Sequence, residues 1–231
     1  MASWVMHQRW TDLLFAHWPV PADMVRPLLP RSLTLDTFEG EAWVGVIPFH
    51  MSNVRPRGIP PLPGVSSFHE LNVRTYVRVG DRAGVWFFSL DASNPLAVRA
   101  ARAAVHLPYY DARMQMTVGS DRSVVYRSDR THRGAPPASF HGTYRPEGDV
   151  HRAAPGTLEH FLVERYELFS AGPRGLIRVK IAHPPWPLQH AVARLERNTM
   201  AEAAGITLTG EPAHLRFAAR VDVRTWLPAP V

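Results

Sequence analysis

One short segment of the chain carries the residue types that acid–base chemistry needs, in an alternating order. Within residues 67–79 every second position from 70 to 76 holds a polar group, here called the polar row: Glu70, Asn72, Arg74 and Tyr76. Successive side chains of a β-strand point to opposite faces, so the polar row shares one face of a predicted strand. A carboxyl group and a guanidinium on one face could bind a small polar molecule and exchange a proton with it.

The polar row has two interpretations. Alternation of apolar and polar residues is typical of a strand with one face in solvent, which would make these groups ordinary surface residues. Alternatively, the face borders an internal cavity, with the Arg74 guanidinium balancing the charge of Glu70. A buried carboxylate without such a partner would be driven toward its neutral form. The alternation alone is compatible with both interpretations.

Motifs for other chemistries are absent from the sequence. The chain has no cysteine, which excludes a disulfide framework, a thiolate nucleophile and a zinc ribbon. Its 12 histidines form no HExxH or HxH pattern, so we expect no metal site. No nucleophile elbow, dinucleotide fingerprint or P-loop motif is present, so we expect neither a serine hydrolase nor a bound cofactor.

Lys180 is the only lysine, and a lysine amine can form a Schiff base with a carbonyl substrate. It lies in a predicted strand whose apolar face is formed by Ile177, Val179 and Ile181. The period of two places Lys180 on the opposite face together with Arg178. We therefore expect an exposed lysine.

Length and composition are those of one globular domain. The 231 residues are 45% hydrophobic and 20% charged, which is enough for a single core, and we assign residues 1–231 to one domain. The formal net charge is +6, but the arginines are scattered without interleaved aromatic residues, so we expect no nucleic-acid partner. Neither a signal peptide nor an apolar run of about 18 residues is visible, which predicts no membrane association and a cytoplasmic location.

The pattern of elements is mainly β. The 22 prolines favour short strands and turns over a helical bundle. Strands are predicted at residues 41–51, 67–79, 85–91, 108–118, 123–128, 139–145, 176–183 and 215–226. Helices are predicted at residues 21–30, 95–104 and 157–168, with Asn94 and Thr157 as N-caps of the last two. The strand at 41–51 is apolar on both faces, as in the middle of a layered or closed sheet. The fold class is therefore α+β, mainly β, with a closed antiparallel sheet and a few short helices.

Several longer segments resemble the YqjF-like proteins, an uncharacterised bacterial family with a domain of unknown function. The matching segments are residues 13–21, 42–49, 68–77, 87–92, 106–110, 158–166 and 184–189. More distantly, the family is similar to the acetoacetate decarboxylase-like superfamily. That similarity implies a closed, cone-shaped β-sheet around a small cavity.

The same similarity bears on the chemistry. In the decarboxylases a helix leads into a pair of lysines, the first of which forms the Schiff base. Residues 101–110 resemble that stretch, and Tyr109 and Tyr110 stand where the lysine pair would be. A phenol forms no imine with a ketone, so an imine mechanism is not expected. Glu70 resembles the glutamate in the decarboxylase cavity, which favours the cavity wall over the solvent face.

These observations lead to the hypothesis of a protein that binds a small carbonyl or carboxylate metabolite in a polar cavity. If it is an enzyme, Glu70 would be its base, or an acid if burial raises its pKa. Tyr109 or Tyr110 would donate a hydrogen bond to a developing oxyanion. Arg74 would orient Glu70 or hold a substrate carboxylate. Weaker candidates for the cavity lining are Asn72, His17 and His106.

Two other classes of function fit the same residues. A ligand sensor or carrier would use the cavity without turnover, and an interaction protein would fill the cavity with its own side chains. Members of the superfamily commonly self-associate, so a homo-oligomer is compatible with the resemblance.

Overall fold

A long mixed β-sheet with three short α-helices makes up the chain, for which the computed structural model describes residues 3–231. The strands are β1 Met6–Val20, β2 Thr34–Leu35, β3 Ala42–Pro56, β4 Phe68–Val79, β5 Arg82–Ala92, β6 Tyr109–Val118, β7 Val124–Arg130, β8 Ser139–His151, β9 Glu167–Gly172, β10 Gly175–Ala182, β11 Leu188–Asn198, β12 His214–Thr225 and β13 Ala229–Pro230. The helices are α1 Ala22–Val25, α2 Pro95–Val105 and α3 Leu158–Val163, with 3₁₀ turns at Arg26–Leu28 and Glu202–Ala204.

The sheet closes on itself. Its strands follow the order β13-β10-β9-β5-β6-β7-β8-β11-β12-β1-β3-β4-β2, with further pairings of β5 with β4 and of β10 with β12. These pairings create two closed circuits that share β4, β3, β1, β12 and β5. The pairs β5–β6 and β5–β9 are parallel and the others are antiparallel. The predicted fold class is confirmed, and the two parallel pairings of β5 add to it.

Most of β4 and the first half of β3 are buried on both faces, because apolar clusters lie on each side of them. On β4, Leu71 and Val73 join one cluster and Tyr76 joins the other. Residues 42–49 of β3 are buried without interruption. This burial confirms the position inside the sheet that was predicted for the strand with two apolar faces.

The N-cap residues predicted from the sequence mark the starts of α2 and α3. The Asn94 side chain accepts hydrogen bonds from Leu96 N at 3.0 Å and Ala97 N at 3.2 Å, and the Thr157 hydroxyl accepts one from His160 N at 3.2 Å. Both predicted N-caps are therefore present.

Several segments differ from the predictions. The helix predicted at residues 21–30 is α-helical only over Ala22–Val25 and continues as the 3₁₀ turn Arg26–Leu28. The helix predicted at 157–168 ends at Val163, because residues 167–172 pair as β9 with β5 and β10. Strands β1 and β11 were not predicted. In β1 the register with β3 shifts between Thr11 and Ala16, and Asp12 has a φ of 55°, so the bulge breaks the alternation that would indicate a strand.

Candidate functional site

A cavity of about 540 Å³ lies against one face of β4. Three members of the polar row, Glu70, Asn72 and Arg74, line it, and Tyr109 of β6 joins them. The surrounding walls come from β1, β3, β5, β10, α2 and the proline-rich loop that follows β3. The alternating face thus borders an internal space, because the closed sheet covers both faces of β4.

Glu70 is the buried acid of this cavity. Glu70 is 2% exposed, and its Oε2 accepts a hydrogen bond from the Tyr109 hydroxyl at 2.7 Å. Burial raises the pKa of Glu70 to about 8, against the smaller lowering by the hydrogen bonds from Tyr109 and Asn72. Burial also raises the pKa of Tyr109 well above its usual range. At neutral pH the pair is therefore a carboxylic acid beside a phenol.

Arg74 is one of three arginines that line the cavity, together with Arg55 and Arg165, and it lies beside the end of α3. Its Nη2 donates to the Leu162 carbonyl oxygen at 3.2 Å, and the Tyr76 hydroxyl donates to the same oxygen at 2.8 Å. The Arg74 Nε is buried and has no hydrogen-bond partner. Within residues 3–231 no carboxylate lies within 4.0 Å of this guanidinium, so the expected ion pair with Glu70 is not formed.

Asn72 occupies the position between the acid and the cation. With a rise of about 3.3 Å per residue, its Cα lies about 7 Å from the Cα atoms of both Glu70 and Arg74 along the strand. The Asn72 Oδ1 is buried without a hydrogen-bond partner. The cavity wall therefore presents an acid, an unpaired amide oxygen and an unpaired cation in a row.

His17 lies behind this wall and does not line the cavity. Its Nε2 is 2.7 Å from the Tyr76 hydroxyl oxygen. Because Tyr76 gives its proton to Leu162, His17 must donate from Nε2. Burial lowers the pKa of His17 well below its usual range, so the ring is neutral. A Cβ at Gly45, its partner on β3, would lie 2.9 Å from the His17 ring, which explains the glycine.

His106 and Tyr110 are placed outside the cavity. His106 is exposed at the C-terminal end of α2, with a left-handed φ of 50°. Tyr110 points away from Tyr109 and packs against Arg130, whose guanidinium carbon is 4.1 Å from the ring centroid. Arg130 in turn forms a buried ion pair with Asp91. We leave both residues out of the proposed site.

Lys180 is exposed, and its ammonium group lies 5.2 Å from the centroid of the Trp226 ring. Its neighbours Val179 and Ile181 line the cavity instead. The chain therefore brings no lysine into the cavity.

His183 lines the cavity and was missed by the sequence analysis. Its Nδ1 lies 2.8 Å from the Pro184 carbonyl oxygen, which can only accept, so Nδ1 carries the proton. The ring stacks on Tyr166 at 4.7 Å and contacts Trp186 at 4.8 Å between centroids. Burial lowers the pKa of His183, which leaves a neutral ring with Nε2 as a proton acceptor. A single histidine after a strand gave no signal in the sequence.

The described residues contain neither a metal centre nor a membrane-spanning helix. No group of three or more histidine, aspartate or glutamate side chains there is arranged to hold a metal ion. Among the helices of the same residues, none is both long and apolar enough to cross a membrane.

Comparison with known proteins now gives the family. Residues 7–222 match DUF2071, the family described as an uncharacterized conserved protein. The chain belongs to this family. It is 42% identical over 223 residues to the uncharacterized protein YqjF of Bacillus subtilis. The aligned residues make up 96% of this chain and 91% of YqjF. The predicted YqjF-like resemblance is thereby confirmed.

Solved structures show the same fold at low identity. An acetoacetate decarboxylase-like enzyme from Sphingomonas wittichii has a TM-score of 0.66 at 12% identity, over 99% of this chain and 94% of that one. The enduracididine biosynthesis enzyme MppR, complexed with pyruvate, has a TM-score of 0.63 at 10% identity, over 99% and 91% of the two chains. The acetoacetate decarboxylase-like fold is confirmed.

Proposed function

We propose that the protein binds a small metabolite with a carboxylate and a carbonyl group, and acts on it by general acid–base chemistry as a lyase, isomerase or hydrolase. One observation carries the proposal. One cavity contains both a neutral carboxylic acid, Glu70, and a guanidinium without an anionic partner, Arg74. Perturbed acids in a cavity that also contains an unpaired charge are typical of functional sites.

In this proposal Arg74 holds the substrate carboxylate. A guanidinium binds a carboxylate through two parallel hydrogen bonds, and the unpaired Nε of Arg74 offers a donor for one of them. The cavity wall then directs the rest of the substrate along Asn72 toward Glu70. Pyruvate, bound by the related fold of MppR, is a 2-oxo carboxylate and therefore a member of the proposed class.

Glu70 is the proton donor in the proposed reaction. Its carboxyl proton passes to the substrate carbonyl oxygen, and the Tyr109 hydroxyl stabilises the carboxylate that remains through the existing 2.7 Å hydrogen bond. His183, neutral at pH 7, accepts a proton from the substrate at Nε2. An acid kept protonated and a base kept neutral in one cavity form a complementary pair for enolising a ketone.

A non-catalytic sensor or carrier is the second candidate, favoured by the contact between Arg74 and α3. The hydrogen bond from Arg74 to the Leu162 carbonyl gives the arginine a structural role at a helix C-terminus, where cations are stabilising. A third class, an interaction protein without a ligand, would have its cavity filled by side chains. The volume of about 540 Å³ argues against that class.

Exchange of the C3 protons of 2-oxobutanoate in D₂O, followed by NMR, tests the proposal. We expect wild-type protein to accelerate the exchange and Glu70→Gln to reduce it at least about 100-fold, as for the loss of a general acid. Calorimetric binding of 2-oxobutanoate should change by less than about threefold, because the amide is isosteric. Glu196→Gln, which makes the same change at an exposed position, is the control.

The outcomes separate the candidates. Exchange that is lost only in Glu70→Gln supports the enzyme. Binding without exchange in wild-type protein supports the carrier. Absence of both binding and exchange for 2-oxo acids contradicts the proposed function.

A further inference from the structure

We infer that the ligand is an amphipathic carboxylate, with its charged group at Arg74 and an apolar body of several carbon atoms filling the remaining cavity. The inference rests on the proposed function, since it uses Arg74 as the carboxylate-binding group. It goes further by replacing a small polar metabolite with a chemical class that has a long or bulky hydrocarbon part.

The distribution of polar groups carries the first step. The polar groups discussed above occupy the side of β4 and β6 and the end of β10, whereas most of the remaining wall is apolar. Representative apolar lining residues are Phe15, Ile47, Phe49, Phe87, Leu90 and Ile181. A fully polar ligand would lose its hydration against these side chains without hydrogen bonds in return. A hydrocarbon part gains free energy from the same surroundings.

The size of the cavity carries the second step. Its volume of about 540 Å³ lies within the range of roughly 300–1,000 Å³ that accommodates drug-sized ligands. An acid of three or four carbon atoms would leave most of the apolar wall without contacts, and such a wall forfeits dispersion energy.

Helix α2 borders the cavity with small side chains. Its lining positions include the partly buried Ala97 and Ala101 and the exposed Ala100 and Ala104, which follow the helical spacing of three and four residues and so form one stripe. A helix that packs directly on a core commonly carries larger apolar residues in this stripe. The methyl groups of α2 instead leave room beside the cavity.

The rim of the cavity is apolar as well. Three leucines line the cavity and are nevertheless largely exposed: Leu62 at 56%, Leu96 at 65% and Leu227 at 70%. They belong to three separate segments, the proline-rich loop, the first turn of α2 and the stretch after β12, so the cavity opens to solvent between them. An apolar rim with an apolar interior suits the passage of a hydrocarbon part, and clustered exposed apolar residues commonly mark a binding site.

Binding of butanoate, hexanoate and octanoate, measured by titration calorimetry, tests the inference. Each methylene moved from water into the cavity should lower Kd by up to about fourfold, so octanoate should bind up to about 16-fold more tightly than hexanoate. Arg74→Gln should weaken binding of the three acids by a similar factor. Arg127→Gln, an exposed arginine outside the cavity, should leave it unchanged.

A cavity-filling variant supplies an independent arm. Ala101→Trp should weaken octanoate at least about tenfold and butanoate by less than about threefold, because the indole occupies the apolar space and leaves Arg74 free. Ala103→Trp, on the exposed side of the same helix, should affect neither acid. Thermal denaturation establishes that both variants are folded.

Failure of the inference and failure of the proposed function give different results. A Kd that is independent of chain length, with 2-oxobutanoate still bound through Arg74, overturns the apolar body and leaves the proposed function intact. Absence of binding for the straight-chain acids and for 2-oxobutanoate overturns both. Equal weakening of octanoate and butanoate by Ala101→Trp also overturns the inference.

Discussion

Two buried carboxyl groups on neighbouring strands have opposite surroundings. Asp91 of β5 is 0% exposed, and Arg130 binds both of its oxygens, with Nη2 at 2.6 Å and Nε at 2.9 Å. Glu70 of β4 is 2% exposed, and within the described residues no cation lies within 4.0 Å of it. Burial raises the pKa of both groups. Arg130 opposes the rise at Asp91, whereas the pKa of Glu70 is raised to about 8.

The difference indicates where this fold places buried ionisable groups without a charged partner. The charges of Asp91 and Arg130 balance each other, so the pair links β5 to β7 across β6 and leaves no unpaired charge for a ligand. Glu70 and Arg74 are left without charged partners, and both face the cavity. Uncompensated groups cost stability, and proteins retain them mainly at functional sites.

The largest effect is expected from breaking the compensated pair. Asp91→Leu leaves the Arg130 guanidinium, whose side chain is 2% exposed, without an anion, and should lower the free energy of unfolding by about 3–5 kcal/mol. Urea denaturation measures the loss. The double variant Asp91→Leu/Arg130→Met should recover much of it, because no isolated charge remains. A loss below about 1 kcal/mol in the single variant would contradict a structural role for the pair.

The next effect is the pH dependence of stability at Glu70. Its pKa is about 8 in the folded chain and about 4.3 in an unfolded one, so between these values the folded state holds one more proton. The free energy of unfolding of wild-type protein should therefore fall relative to Glu70→Gln as pH rises, by about 3 kcal/mol between pH 5 and pH 7.5. Denaturation curves of both proteins measured across this range give the difference, in which other titrating groups cancel. Parallel curves would place the pKa of Glu70 near its ordinary value.

A smaller effect is expected at Tyr109. Tyr109→Phe removes the hydrogen bond to Glu70 and should lower the free energy of unfolding by about 1–2 kcal/mol at pH 6. It should also raise the pKa of Glu70 further, because that hydrogen bond favours the carboxylate. Chemical-shift titration of the Glu70 carboxyl carbon measures the second change. Tyr110→Phe is the matched control on the other face of β6, and an equal effect there would remove the distinction between the two tyrosines.

Much of the fold could be predicted because local patterns agreed with the tertiary structure. Single residues predicted the N-caps at Asn94 and Thr157, and periodicity predicted that β3 is apolar on both faces. The bulge at Asp12 and the pairing of residues 167–172 were not, since both depend on strands distant in the sequence. Tertiary pairing overrode the helical pattern there.

The candidate site could be predicted only in part. Alternation placed Glu70, Asn72 and Arg74 on one face, but it could not say that another layer covers that face. The partner of Glu70 proved to be a phenol rather than Arg74, because Arg74 reaches toward the end of α3. His183 enters the cavity through the closure of β10 onto β12, a long-range pairing that no local motif encodes.

The smallest effect is expected at Lys180. Its exposed ammonium group lies near Trp226 and not in the cavity, so Lys180→Gln should change the free energy of unfolding by less than about 0.5 kcal/mol. Borohydride reduction in the presence of pyruvate or 2-oxobutanoate, followed by mass spectrometry, should give no adduct in either protein. The proton exchange expected of Glu70 should also survive in Lys180→Gln, because that chemistry needs an acid and no imine. An adduct that appears in wild-type protein and is lost in Lys180→Gln would show that the amine reaches the substrate. The chemistry would then depend on Lys180, and the contrast between the paired Asp91 and the unpaired Glu70 would no longer indicate where it occurs.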